Sequence, residues 1–135
     1  MTEKKQKTIH VSGKRKRAIA RVTLKPGKGV VKINKLSLDY YTPEVARLRI
    51  LEPLFLSGDA AKKVNINVNV AGGGWSAQTD AARVGIGKAM VHFQPSLKKT
   101  FLEYDRMLLI NDVRRNEPHK PNDSKPRRAR QKSYR

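Results

Sequence analysis

The chain has 135 residues, of which 30 are Lys or Arg and 11 are Asp or Glu, for a formal charge of +19, and it contains no cysteine. That length accommodates one domain with a modest core, and the lack of thiols excludes a disulfide framework and a thiolate metal site. A charge of this size says little about fold and much about partners, which should be polyanions.

Residues 1–7 carry Lys4, Lys5 and Lys7 and read as a flexible basic end. No apolar signal-peptide core follows them, so secretion is not expected and the cytoplasm is the default. Thr8 to Ile33 reads as strands. Ile9 and Val11 alternate with His10 and Ser12, and Ala18, Ala20, Val22 and Leu24 alternate with Ile19, Arg21, Thr23 and Lys25. This is the period of two expected of strands with one buried face. The basic run Lys14-Arg15-Lys16-Arg17 falls between these two strands. Lys25-Pro26-Gly27-Lys28 places Pro and Gly at the second and third positions of a type II turn, which predicts a hairpin with Val30–Ile33 as the partner strand. Leu36 to Tyr40 reads as a short helix or turn. Thr42-Pro43-Glu44 supplies an N-cap, a first-turn Pro and an acid at the positive dipole end. The helix it opens should bury Val45, Leu48 and Leu51 and end at Pro53.

Val64 to Val70 is the cleanest strand, with four β-branched residues facing one way and Asn65, Asn67 and Asn69 the other. Three amides cannot be core unless each is satisfied, so that face should meet solvent or a polar partner. Gly72-Gly73-Gly74 leads into a helix of about 15 residues, in which Ala82, Ile86, Ala89, Met90 and Phe93 form one stripe. Gly85 and Gly87 each cost about 1 kcal/mol there relative to Ala, a cost that close packing on a sheet would offset. Pro95-Ser96 closes this helix and caps another, with Leu97, Phe101 and Tyr104 on one side. Met107 to Ile110 is the last apolar stretch, and no stretch approaches the roughly 18–20 residues of a membrane span. The expected fold is α+β over residues 8–112: a single sheet of about four strands with helices on one face, a two-layer sandwich.

Residues 113–135 differ in kind. Nine are Lys or Arg, only Glu117 and Asp123 are acidic, and Val113, Ala129 and Tyr134 supply almost all the apolar surface besides the prolines. Such a segment cannot bury enough area to offset its ordering entropy, and Pro118, Pro121 and Pro126 exclude a continuous helix. It reads as an extended basic tail that a polyanion must order. Fully extended, it would reach roughly 75 Å at about 3.3 Å per residue. At the other end, residues 1–35 carry twelve basic residues against Glu3, whereas residues 36–112 carry nine against eight acids. A near-neutral body between two basic segments argues for nucleic acid. The candidate RNA contacts are Lys14, Arg15, Lys16, Arg17 and Arg21, beside Lys25, Lys28 and Lys32. In the tail they are Arg114, Arg115, Lys120, Lys125, Arg127, Arg128 and Arg130, where Arg offers a planar fork to phosphate and Pro keeps the backbone extended.

Nothing in the sequence assembles a catalytic or metal site. His10, His92 and His119 are scattered, with no carboxylate at a ligand spacing. His10, Ser12 and Asp80 make a triad only on paper. The triple glycine has neither the Walker spacing nor G-x-G-x-x-G. A tight strand-to-helix turn is its first reading, and a backbone contact to an RNA phosphate its second. No cofactor, small-molecule substrate, membrane or enzymatic activity is expected.

Three stretches carry a resemblance. Gly13-Lys14-Arg15-Lys16-Arg17-Ala18-Ile19-Ala20-Arg21-Val22 resembles the amino-terminal motif of the universal small-subunit ribosomal protein S-nine family. Gly72-Gly73-Gly74-Trp75-Ser76-Ala77-Gln78-Thr79-Asp80-Ala81, running on through Gly85-Ile86-Gly87-Lys88-Ala89, resembles its central signature. Arg127-Arg128-Ala129-Arg130-Gln131-Lys132-Ser133-Tyr134-Arg135 resembles its carboxyl-terminal tail. Lys35 stands where the family commonly has Gly, and Met90 where Leu is usual. The ending is similar to the archaeal and eukaryotic branches, and the short amino terminus favours the archaeal one. The resemblance implies a compact α+β domain on the head of the small subunit, bound to small-subunit ribosomal RNA and to neighbouring head proteins. It also implies that the tail meets the peptidyl-site tRNA through Arg135, then Tyr134, Ser133 and Lys132. A terminal Arg can grip phosphate whatever the tRNA sequence, and Tyr134 would stack on a base or ribose or anchor the end. Two rival readings are a free-standing RNA chaperone or non-specific nucleic-acid binder, and an RNA-processing enzyme or its protein subunit.

Overall fold

The alternation in Ala18–Pro26 and in Val64–Ala71 builds the centre of the molecule. In a computed structural model that describes residues 7–122 and 126–127, these two strands, β2 and β5, run antiparallel. Ala20 lies opposite Val70, Val22 opposite Val68 and Leu24 opposite Ile66, and all six are buried. β1 (Ile9–Arg15) pairs antiparallel with the outer side of β2. β3 (Val31–Ile33) runs parallel to β5 on its other side, and β4 (Leu36–Ser37) closes that edge. The result is one open, mixed five-stranded sheet in the order β1-β2-β5-β3-β4.

Three α-helices among the described residues form the other layer: α2 (Trp75–Phe93) lies against β1, β2 and β5, and α1 (Glu44–Ser57) and α3 (Leu97–Tyr104) pack against α2. Short 3₁₀ turns at Leu38–Tyr40, Gly58–Lys63 and Arg106–Leu108 connect them to the rest. The core between the layers contains Leu24, Ile33, Ile66, Ile50, Ile86, Met90, Phe101 and Leu108, each fully buried. The α+β two-layer architecture is therefore as expected, with a fifth, two-residue strand at one edge.

Glycine sets the distance between the layers. A Cβ on Gly13 of β1 would overlap the carbonyl of Ala81 and the backbone of Gly85 in α2, and one on Gly85 would come within 2.6 Å of Val22 Cγ2. Gly85 thus seats α2 on the sheet, as expected. Gly87 serves a different neighbour, since its Cβ would lie 2.6 Å from the carbonyl oxygen of Leu108.

Several local expectations fail. β2 and β3 do not form a hairpin, because β5 inserts between them. The left-handed residue of the connection is Gly29 (φ +88°), not Gly27. Both glycines donate backbone bonds across to the start of β5, Gly27 to Lys63 O and Gly29 to Val64 O. A strand with four inward β-branched residues competes better for the central position than the three-residue β3 that follows in sequence. The basic run does not simply separate β1 from β2: Lys14 and Arg15 end β1, Arg15 pairs with Ala18, and only Lys16 (φ +53°) and Arg17 turn the chain.

In α1 the buried residues are Ala46, Ile50, Pro53 and Ser57, whereas Val45 and Leu48 are 56% and 52% exposed and Leu51 is half-buried. The small Ala46 lets the helix approach its neighbours, which a stripe chosen by side-chain size misses. Pro53 lies inside the helix and does not end it. Thr42 does not cap it either: the capping position is Pro43, without a side-chain bond. Ser96 likewise makes no cap bond to α3 and accepts instead from Gln94 Nε2 at 2.9 Å. Leu97 and Phe101 of α3 are buried as expected, but Tyr104 is 56% exposed. Leu36 to Tyr40 divides into β4 and a 3₁₀ turn.

Candidate nucleic-acid interface

The β1–β2 hairpin presents its basic residues differently from one another. Lys14, Lys16 and Arg17 are exposed at its end, and Arg21 is exposed on the face of the sheet that the helices leave open. The glycine loop supports this end from behind: Gly72 (φ +80°) packs so closely that a Cβ would lie 2.5 Å from the carbonyl oxygen of Arg17. Gly72 and Gly73 both have positive φ and Gly74 precedes α2 as its N-cap. The triple glycine is a strand-to-helix turn braced on the hairpin.

Arg15 is turned inward. Its side chain is only 17% exposed, with Nη1 at 3.3 Å from Asp112 Oδ2 and Nε at 3.8 Å from Asp80 Oδ2. Asp112 lies at the root of the tail and also accepts from Arg114, through its backbone N–H at 2.9 Å, Nε at 3.0 Å and Nη2 at 2.6 Å. The hydrogen bonds from Arg114, with the charge of Arg15 beyond them, hold the Asp112 carboxyl well below the usual carboxylate range against the opposing effect of desolvation. Lys88 of α2 completes the joint by donating to Ser12 O at 3.2 Å and Asn111 Oδ1 at 3.0 Å, and burial pulls its pKa down. Asn111 Oδ1 also accepts from the backbone N–H of Lys14 at 3.3 Å. Two basic segments separated by the whole domain in sequence thus meet at one end of the molecule, around a cleft of about 150 Å³ lined by Lys14, Arg15, Asp80, Arg83, Asp112 and Arg114 among others.

Beyond the joint the described tail is neither helix nor strand. Arg114 and Arg115 are exposed. The segment is not uniformly extended: Asn122 has φ +65°, and Glu117 draws in both Lys120, at 3.5 Å, and Arg127, at 2.6 Å. Lys120 and Arg127 are 58% and 89% exposed, and such surface pairs are weak enough to be exchanged for phosphate. Lys125, Arg128, Arg130, Lys132, Ser133, Tyr134 and Arg135 lie outside the described residues.

A second charged cluster was missed by the sequence reading. Arg83 of α2 donates to Glu52 of α1 at 2.8 Å and to Asp105 at 3.1 Å, with its side chain 14% exposed. Burial alone would lower its pKa, but the two carboxylates outweigh it and the net shift is upward. The signal available in sequence was weak: acids in the neutral body that no helical i,i+4 spacing pairs with a base.

Among the described residues no group of three His, Cys, Asp or Glu could hold a metal. His10 bonds Thr23 Oγ1 at 3.1 Å, and Asp80 is engaged by Arg15 and Arg49, so the paper triad is not assembled. No helix of the described residues is long and apolar enough to cross a membrane.

Residues 13–135 match the family model described as Ribosomal protein S9/S16. The chain is 47% identical over 133 residues to the small ribosomal subunit protein uS9 of Methanococcus maripaludis, covering 96% of this chain and 99% of that protein. It is 46% identical to the protein of the same name from Methanococcus vannielii, over the same shares of each chain.

Proposed function

The chain belongs to the ribosomal protein S9/S16 family, is of the archaeal type, and from that premise we propose that it holds small-subunit ribosomal RNA with its β1–β2 hairpin and tail and touches the peptidyl-site tRNA with its last residues. It is a structural protein of the small ribosomal subunit and so works in the cytoplasm as part of the ribosome. The observation that carries the RNA reading is the Arg15–Asp112–Arg114 joint. It gathers the hairpin and the tail root into a single basic surface, with Lys14, Lys16, Arg17, Arg21 and Arg115 exposed to phosphate and Arg114 presenting the part of its guanidinium that Asp112 does not hold. Arg15 supports this surface as a positioning residue. Lys120, Lys125, Arg127, Arg128 and Arg130 extend it along the tail, and Lys132, Ser133, Tyr134 and Arg135 end it at the tRNA. Catalysis has no part in this reading. The exposed apolar residues of α1, Val45, Leu48 and Phe55, suit the neighbouring proteins of the subunit head.

Deletion of Ser133–Arg135 is the test. Truncated protein should enter small subunits and comigrate with them at high salt, while peptidyl-site tRNA dissociates faster. An unchanged tRNA affinity and dissociation rate would refute the tRNA role. Failure of the full chain to comigrate would favour a free-standing RNA chaperone.

A further inference from the structure

The face of the sheet turned away from the helices has a composition of its own. None of the five strands contains Asp or Glu, and none contains Phe, Tyr or Trp. On the open face the register aligns Ser12, Arg21 and Asn69 in one row across β1, β2 and β5. The next row is His10, Thr23, Asn67, Lys32 and Ser37, across all five strands. Lys25 lies beyond, opposite Asn65. Asn65 is used internally, accepting from the backbone N–H groups of Lys28 and Val30 at 2.9 and 3.1 Å. Asn67 and Asn69 are exposed at the centre of the sheet, and among the described residues nothing bonds their amides.

We propose that this open face is a second RNA surface, centred on Asn67 and Asn69, flanked by Lys25 and Lys32 and meeting the hairpin surface at Arg21, that grips the sugar–phosphate backbone of folded RNA. The proposal rests on the RNA-binding reading above and adds a site to it. Cations with no acid among them complement a polyanion, whereas a protein neighbour would leave four like charges, Lys14, Arg21, Lys25 and Lys32, to be desolvated. With no Phe, Tyr or Trp, and with its one imidazole, His10, tied to Thr23 Oγ1, the face lacks the stacking platform on which sheets read unpaired bases. What remains is backbone recognition. Lys25 and Lys32 meet phosphates, and the two amides, about 6.6 Å apart along the strand, can donate to phosphate and accept from ribose 2′-hydroxyls. The second capacity distinguishes RNA from DNA.

The test uses the full-length chain, a fluorescein-labelled RNA duplex of about 20 base pairs and the DNA duplex of the same sequence, titrated over a range of salt. Lys25→Gln with Lys32→Gln should weaken RNA binding about tenfold or more and reduce the log–log salt slope by about 1.8. Asn67→Ala with Asn69→Ala should leave that slope unchanged and weaken RNA by about three- to tenfold, with a smaller loss for DNA. All four side chains are exposed, so circular dichroism should be unchanged. If both double variants bind with wild-type affinity and slope, the face is not an RNA surface; if the Asn variant loses RNA and DNA equally, the ribose contact is wrong. Arg115→Gln in the tail tests the parent reading separately: if it weakens binding while both open-face variants bind as wild type, only this proposal is overturned, and a wild-type chain with no salt-dependent binding overturns both.

Discussion

Asp112 is one acid set against a run of cations, and its position explains more than its charge. It receives Arg15 from the hairpin and Arg114 from the tail, so its loss should free the tail root without unfolding the domain. Asp112→Ala should abolish hydrogen-exchange protection at the Arg114 amide, which donates to this carboxylate, while the melting temperature changes little. The pH dependence has a definite sign. A carboxyl whose pKa is depressed by folding contributes stability that is complete above its unfolded value, about 3.9 for Asp, and is lost as pH falls through the depressed folded value. The joint should therefore persist through neutral and mildly acid solution, and the Arg114 amide shift followed by NMR should titrate only below the ordinary carboxylate range. Gly13 illustrates a different constraint, because backbone atoms on α2 occupy the space a side chain would need. Gly13→Ala should destabilise the domain by about 1–3 kcal/mol in chemical denaturation. Arg83→Met strands Glu52 and Asp105, each about a third exposed, and should cost about 2 kcal/mol.

At the level of elements, α1 shows how a plausible stripe misleads. Val45, Leu48 and Leu51 are spaced like a buried face, yet the helix buries Ala46, Ile50, Pro53 and Ser57. Both sets satisfy helical periodicity, and choosing between them requires knowing that α1 lies against α2. In the isolated protein Leu48→Lys should change stability by no more than about 0.5 kcal/mol, whereas Ile50→Ala should cost about 2–5 kcal/mol; urea midpoints with unchanged slopes would measure both. β5 and α2 were legible from residues alone, since the β-branched residues of Val64–Val70 and Ala82, Ile86, Ala89 and Met90 of the expected stripe are buried, with its last member, Phe93, half-buried. α2 also buries Thr79, Ala81, Val84, Gly85 and Gly87, a second face that side-chain size does not mark. The β2–β3 connection was not legible, because a Pro-Gly turn reports local geometry and carries no information about a strand that begins only at Val64.

The whole molecule separates its charges by layer. All five strands lack acids, while Glu44, Glu52, Asp80 and Glu103 lie on the helices that cover the other face. Basic surface therefore extends from the tail root across the hairpin end towards the open sheet, while Glu52 ties α1 to Arg83 of α2, Asp80 meets Arg15 and Arg49, and Glu44 and Glu103 pair within their own helices. Because association with RNA releases counterions, affinity should fall steeply with salt. Removal of residues 113–135, which carry nine cations and two acids, should reduce the log–log slope by about 6 while leaving a folded domain that still binds RNA.

By itself the sequence determined the class of partner, the α+β composition, the central strand and long helix, and the ribosomal family, because charge, periodicity and motif are properties of residues along the chain. Only the tertiary structure decided which strands are neighbours, which face of α1 is buried, and that Arg15 is held within the fold while Arg21 lies on its surface. Those outcomes depend on contacts between residues far apart in sequence. Arg15 and Arg17 stand in the same basic run, but one faces Asp112 and the other the surface. The contact of Arg15 with Asp80 joins β1 to α2, whose close approach Gly13 and Gly85 permit.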